Sequence, residues 1–130
     1  MPTLNAKQSR TIAKFYAELA AGLSDYRFSH WTELTKSQRA ELESHEWTLL
    51  TYSSNMTAHA VRLAVANVAD AVAEITRATS QLAAAGRRIA SIKRGLAVAT
   101  AAVALGGAVA SGNAIAIGAA VSSALDVADG

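Results

Sequence analysis

A chain of 130 residues with a net charge of +2 and a single proline, at position 2, has room for one domain, or one domain and an appendage. It contains no cysteine, which excludes a disulfide framework and thiolate chemistry. Aromatic residues make up only 5% and alanine dominates, so an all-α protein is expected and a large aromatic core is not.

The first predicted element is an amphipathic helix from about Asn5 to Leu23. Ile12, Phe15, Tyr16, Leu19 and Leu23 recur at helical period and give it one apolar face. Gly22 and Ser24-Asp25 are expected to end it. The stretch Asp25–Trp31 then reads as an aromatic-rich connector that folds back to fill a small core. The segment MPTLNAKQSRTIAKF lacks the apolar stretch of a secretory signal peptide. The expectation is synthesis in the cytoplasm, followed by membrane association or incorporation into an assembly such as a virion.

Thr35-Lys-Ser-Gln38 has the form of a capping box and opens the next helix. Two rows of residues then step by threes and fours, the spacing of a coiled-coil or bundle seam. The first holds Leu42, His45, Leu49, Tyr52, Met56, His59 and Leu63. The second holds Val61, Val65, Val68, Val72, Ile75, Thr79, Leu82, Gly86 and Ile89. A break or kink is predicted at Ser53-Ser54-Asn55, residues weak in helices and strong in turns. The second seam then occupies one long helix over about 56–94. Val61, Val65, Val68, Val72, Ile75, Leu82 and Ile89 are its candidate self-association residues.

From Gly95 to Leu125 the sequence carries no charge. This is longer than the roughly 18 apolar residues that suffice to span a bilayer as a helix. Small residues recur every fourth position at Ala102, Gly106, Ala110, Ala114, Gly118 and Ser122. On one helix they form a stripe along which a second backbone approaches closely. Three forms compete: a helical hairpin, one long or kinked helix, and alternating strands, against which the alanine content argues. The favoured break is Ser111–Asn113, giving helices of about 95–110 and 114–126, with Gly106–Gly107 as another. Arg87, Arg88, Lys93 and Arg94 precede the segment and are candidate lipid-headgroup residues. Residues 1–94 are thus expected to form a helical bundle or coiled-coil region. Residues 95–130 are expected to form a membrane-insertion or self-assembly segment. In character this run resembles the insertion segments of pore-forming and membrane-fusing proteins and glycine-zipper channel helices. The likeness covers only 95–125 and carries over no functional residue.

No catalytic constellation, cofactor motif or metal-ligand set is present in the sequence. Glu41 and His45 stand one helical turn apart, but two ligands do not make a metal site. His45 and His59 read as buried or interfacial side chains, with a pH switch as the sharper alternative. Glu33, Glu41, Glu43 and Glu46 read as a solvated helix face. No aromatics interleave with the basic cluster, which argues against nucleic acid as a partner. The expectation is a non-enzymatic homo-oligomer that inserts its C-terminal segment into a membrane, as a small toxin or phage ejection protein does. The alternative is a structural subunit of a virion, secretion tube or scaffold, burying that segment between protomers. Self, membrane lipid and other subunits of an assembly are the expected partners.

Overall fold

The structure, a computed structural model, describes residues 3–58, 61–65 and 67–129. Five α-helices follow one another: α1 (Ala6–Ser29), α2 (Lys36–Ala58), α3 (Val68–Gly86), α4 (Ile92–Ser111) and α5 (Ala114–Asp129). The described residues contain no strand, only isolated bridges between Thr3 and Arg62 and between Ala64 and Asn113. Around the bundle the neighbours run α1, α2, α4, α5, α3 and back to α1, so the helices close into a ring.

Local chemistry explains where the helices begin. Asn5 and Gln8 bond reciprocally, side chain to backbone, at 2.8 and 2.9 Å, and Thr35 and Gln38 do the same at 3.1 and 2.9 Å. Each pair satisfies two N–H groups that a helix start leaves without partners. Asn67, Ser91 and Asn113 use their side chains in the same way, accepting from Asp70, Arg94 and Ala116 at 3.0–3.2 Å.

The end of α1 departs from the sequence expectation. The helix runs through Gly22 and continues to Ser29. Gly22 marks a crossing with α3: a Cβ there would stand 2.6 Å from the carbonyl oxygen of Gly86. Gly86 in turn leaves room for the side chain of Leu19. The extra turns carry Arg27 onto the buried face, one turn beyond Leu23.

The expected break at Ser53–Asn55 is absent, and α2 is continuous to Ala58. Ser53 spends its hydroxyl on a bond between helices, donating to the carbonyl of Ala13 at 2.8 Å. That contact removes the local competition that makes serine a turn residue.

The single helix expected over 56–94 is instead three pieces. Residues 61–65 are non-helical and pass between Thr3–Leu4 and the α4–α5 turn. Leu4 N–H donates to the carbonyl of Val61 at 2.9 Å, and Ala64 N–H to that of Gly112 at 2.8 Å. Val61, Leu63 and Val65 alternate with Arg62 and Ala64, and this alternation puts Leu63 wholly in the core. After α3 the chain leaves the helix at Gly86–Arg88 and restarts at Ser91.

Between α4 and α5 Gly112 takes the left-handed conformation, with φ +69°. A side chain at that position would run into the carbonyl oxygen of Arg62, so glycine is required twice over. The core is continuous across the ring. Ile12, Leu23, Leu42, Leu49, Leu63, Ile75 and Leu82 share it with Val98, Leu105, Val109, Ile117 and Val121. Residues 95–125 thus supply two walls of the bundle.

Candidate functional site

The candidate surface is the exterior of α4 and α5 with the basic residues at one end. Ile92–Ser111 is a helix long and apolar enough to cross a membrane, with mean hydropathy 1.4, and 44% of that window is buried. Several of the larger apolar side chains of both helices point inward: Val98, Leu105, Val109, Ile117 and Val121 are buried. Thr100, Ala104, Gly107, Ala110 and Ser111 face outward from α4, and Ala114, Ile115, Gly118, Ala119, Ser122 and Ser123 from α5. That exterior is uncharged, and Ile115 is 85% exposed upon it.

The six small residues proposed as one stripe do not share a face. Ala102 and Gly106 are buried, and Gly106 lies against the ring of Tyr52 on α2. Ala110, Ala114, Gly118 and Ser122 are exposed, and none of the described residues lies within 4 Å of where a Gly118 side chain would start. Within α4 each four-residue step advances about 40° around a 3.6-residue helix, which carries Ala110 off the face of Ala102 and Gly106, and the reversal at Gly112 then ends the period altogether.

The basic cluster is also divided. Arg87 faces α1, its guanidinium 3.5 Å from Glu18. Arg88 donates to the carbonyl of Ala84 at 3.3 Å, and Arg94 to that of Ala128 at 3.1 Å. Arg88 and Arg94 line one groove with Ala85, Ala128 and Asp129, while Lys93 is exposed on α4. All four residues lie toward the end of the bundle where α4 starts and α5 finishes.

The residues of the second seam lie within this chain's own fold. Val72, Ile75, Thr79, Leu82 and Gly86 are buried in the bundle core. Val68 is half-buried at the start of α3, and Val61 and Val65 belong to the non-helical segment. Ile89 covers Gly95, its Cγ2 3.2 Å from where a Cβ would begin.

The acidic run is not one solvated face. Glu46 is buried and accepts two hydrogen bonds from Arg27, at 2.7 and 3.0 Å. The Glu46 bonds hold the guanidinium further toward its charged form than usual. Glu43 approaches the same guanidinium at 3.4 Å. Glu41 stands 3.8 Å from His45, and among the described residues no three potential metal ligands come together. His59 lies outside the described residues. Tyr16 is buried with no hydrogen-bond partner for its hydroxyl among the described residues, and burial pushes its pKa well up, with the neighbouring Tyr52 adding to the shift.

Of the expected aromatic connector only Tyr26 and Arg27 turn inward, as part of α1. Phe28 and Trp31 are 61% and 44% exposed and stack with ring centres 5.8 Å apart. Trp47 and Leu50 join them among the exposed large hydrophobic residues. The signal for this surface was present at Lys36, Ala40, Glu43, Trp47 and Leu50. They form a four–three row on α2, offset from the buried row through Leu42 and Leu49.

Comparison with protein-family models finds no match, and neither the curated proteins nor the solved structures contain a significant relative.

Proposed function

We propose that this chain is a non-enzymatic, self-associating helical protein that stores α4 and α5 in its bundle and delivers them as a helical pair into a membrane. The observation that carries this reading is the uncharged exterior from Gly95 to Leu125, with Ile115 standing free on it. Apart from Ile115, the bulkiest apolar side chains of the two helices lie on or beside the inner face. Insertion then consists of swinging the pair away from α2 and α3 and exchanging core contacts for lipid. The backbone bonds stay within each helix, as a hydrocarbon environment demands. Arg87, Arg88, Lys93 and Arg94 stand where headgroups would meet the start of α4. A small toxin or a phage-encoded translocation protein would use these parts, made in the cytoplasm and then placed in an envelope.

The second reading is a subunit of a soluble assembly, and one observation favours it. The exposed positions of α5 are mostly small, and the space beside Gly118 is open. Such a face accepts another helix closely. Flotation of detergent-free protein on anionic liposomes decides between the two. Membrane delivery requires flotation and release of an encapsulated dye, weakened when the four basic residues are neutralised, most visibly at low salt. Absence of both across pH 5 to 8 (about the range of histidine titration) rules it out and leaves the assembly.

A further inference from the structure

Among the described residues, four of the five exposed large hydrophobic side chains lie away from α4–α5, at the α1–α2 end and along α2: Phe28, Trp31, Trp47 and Leu50. They include both tryptophans of the chain. Trp31 and Trp47 line a single groove with Lys36, Arg39, Ala40, Glu43 and Ser44. The Arg39 guanidinium lies over Trp31 at 4.7 Å and donates to the carbonyls of Trp31 and Leu34, which fixes the groove wall. Exposed aromatics gathered on one rigid face mark a surface that another body covers.

We propose that this face is an isologous contact with a second copy of the chain, formed by two α2 helices packing antiparallel about a two-fold axis near Ala40. The outward row Lys36, Ala40, Glu43, Trp47, Leu50 and Ser54 is exposed throughout and steps by four and three, the seam of paired helices. Ala40 is the smallest residue of the row and lets the backbones approach. Lys36 and Glu43 stand about 5 Å to either side of it along the axis. A two-fold there sets each Lys36 opposite the partner's Glu43, so opposite charges meet twice. Lys36 makes no ion pair within the described residues, and the Glu43 side chain is 54% exposed. The same register brings Trp47 over the partner's α1–α2 turn, where Phe28 and Trp31 form a flat shelf. An isologous contact must be self-complementary, and the row together with the Phe28–Trp31 shelf carries both halves of each interaction. The contact is distinct from α4–α5 and stands whether or not that pair meets lipid.

Sedimentation of the intact chain without lipid is the test. The parent should be a dimer. Trp47→Ala should weaken dimerisation at least about 30-fold, the loss expected of an aromatic anchor. It should keep the parent's circular dichroism, because Trp47 is 66% exposed. Lys36→Glu should also weaken the dimer, and adding Glu43→Lys should restore it. The chain has no cysteine, so Ala40→Cys introduces the only thiol and should oxidise to a disulfide-linked dimer. Ser122→Cys, exposed on α5, should not. A parent that stays monomeric at its solubility limit overturns the proposal, as does a dimer that survives Trp47→Ala or fails to cross-link through Ala40→Cys. A monomer whose tryptophan emission shifts to the blue on phosphatidylglycerol vesicles also overturns it, and assigns the face to a membrane.

Discussion

Arg27 of α1 grips Glu46 of α2 with two nearly parallel hydrogen bonds, 2.7 and 3.0 Å long, and both side chains are only 9% exposed. Nineteen residues apart, they tie the first two helices together near the α1–α2 turn. A buried pair of this kind is held by its geometry, since desolvation of the two charges offsets much of their attraction.

Removing one partner should therefore cost far more than removing both. Glu46→Ala should destabilise the chain by about 3–5 kcal/mol, because it leaves the Arg27 charge buried with only the half-exposed Glu43 beside it. Arg27→Met with Glu46→Leu should lie within about 2 kcal/mol of the parent, since neither charge is then buried. Urea unfolding of the three proteins checks the non-additivity. Equal losses in the single and double variants would show that the pair contributes nothing through charge.

Tyr16→Phe should stabilise the chain by about 1 kcal/mol, because it deletes a buried hydroxyl without a partner. The same variant carries a pH signature. The Tyr16 pKa is raised in the folded state, so the unfolded chain releases this proton first as pH climbs past about 10. The parent should then lose stability above that pH by up to about 1.4 kcal/mol per pH unit from this group. Tyr16→Phe should lose correspondingly less, while below pH 9 the difference between the two proteins should be constant. Thermal melts from pH 7 to 11 (about the span that brackets tyrosine titration) measure both effects.

Three glycines should answer one substitution differently. Gly22→Ala drives a methyl into the backbone of Gly86 and should cost about 2 kcal/mol or more. Gly106→Ala meets the Tyr52 ring, a side chain that has some freedom to turn, and should cost about 1–3 kcal/mol. Gly118→Ala meets open space and should stabilise α5 by up to about 1 kcal/mol. Melting temperatures in that order support the crossing of α1 on α3 and the docking of α4 on α2. A costly Gly118→Ala would mean that a helix already covers that face.

Ile115→Ser should leave stability within about 0.5 kcal/mol, as for other exposed positions free of special contacts. If α4 and α5 enter a membrane, it should still weaken liposome flotation, because the largest apolar group on the outer face is gone. Unchanged flotation would remove Ile115 from the membrane-facing surface.

The signals that the sequence carries by itself are local ones. Thr35 and Gln38 satisfy each other's backbone across three residues, so the start of α2 is legible wherever the helix packs. The rows Leu42/Leu49/Met56 and Val72/Ile75/Leu82 are legible because helical period alone puts them on one face, and both are buried. The absence of proline beyond position 2 and the abundance of alanine determine the all-helical class. The tertiary structure decided the rest, because the deciding atoms are distant in sequence. Gly22 is a turn signal until Gly86 crosses it, and Ser53 is one until Ala13 offers a carbonyl. Glu46 belongs to a solvated run until Arg27 is carried down to it by the overrun of α1. Gly106 and Gly118 share a four-residue period but face a tyrosine ring and open solvent, because the backbone reverses at Gly112 between them. Spacing defines a face only along an unbroken helix, and what covers that face depends on partners that the chain brings in from elsewhere.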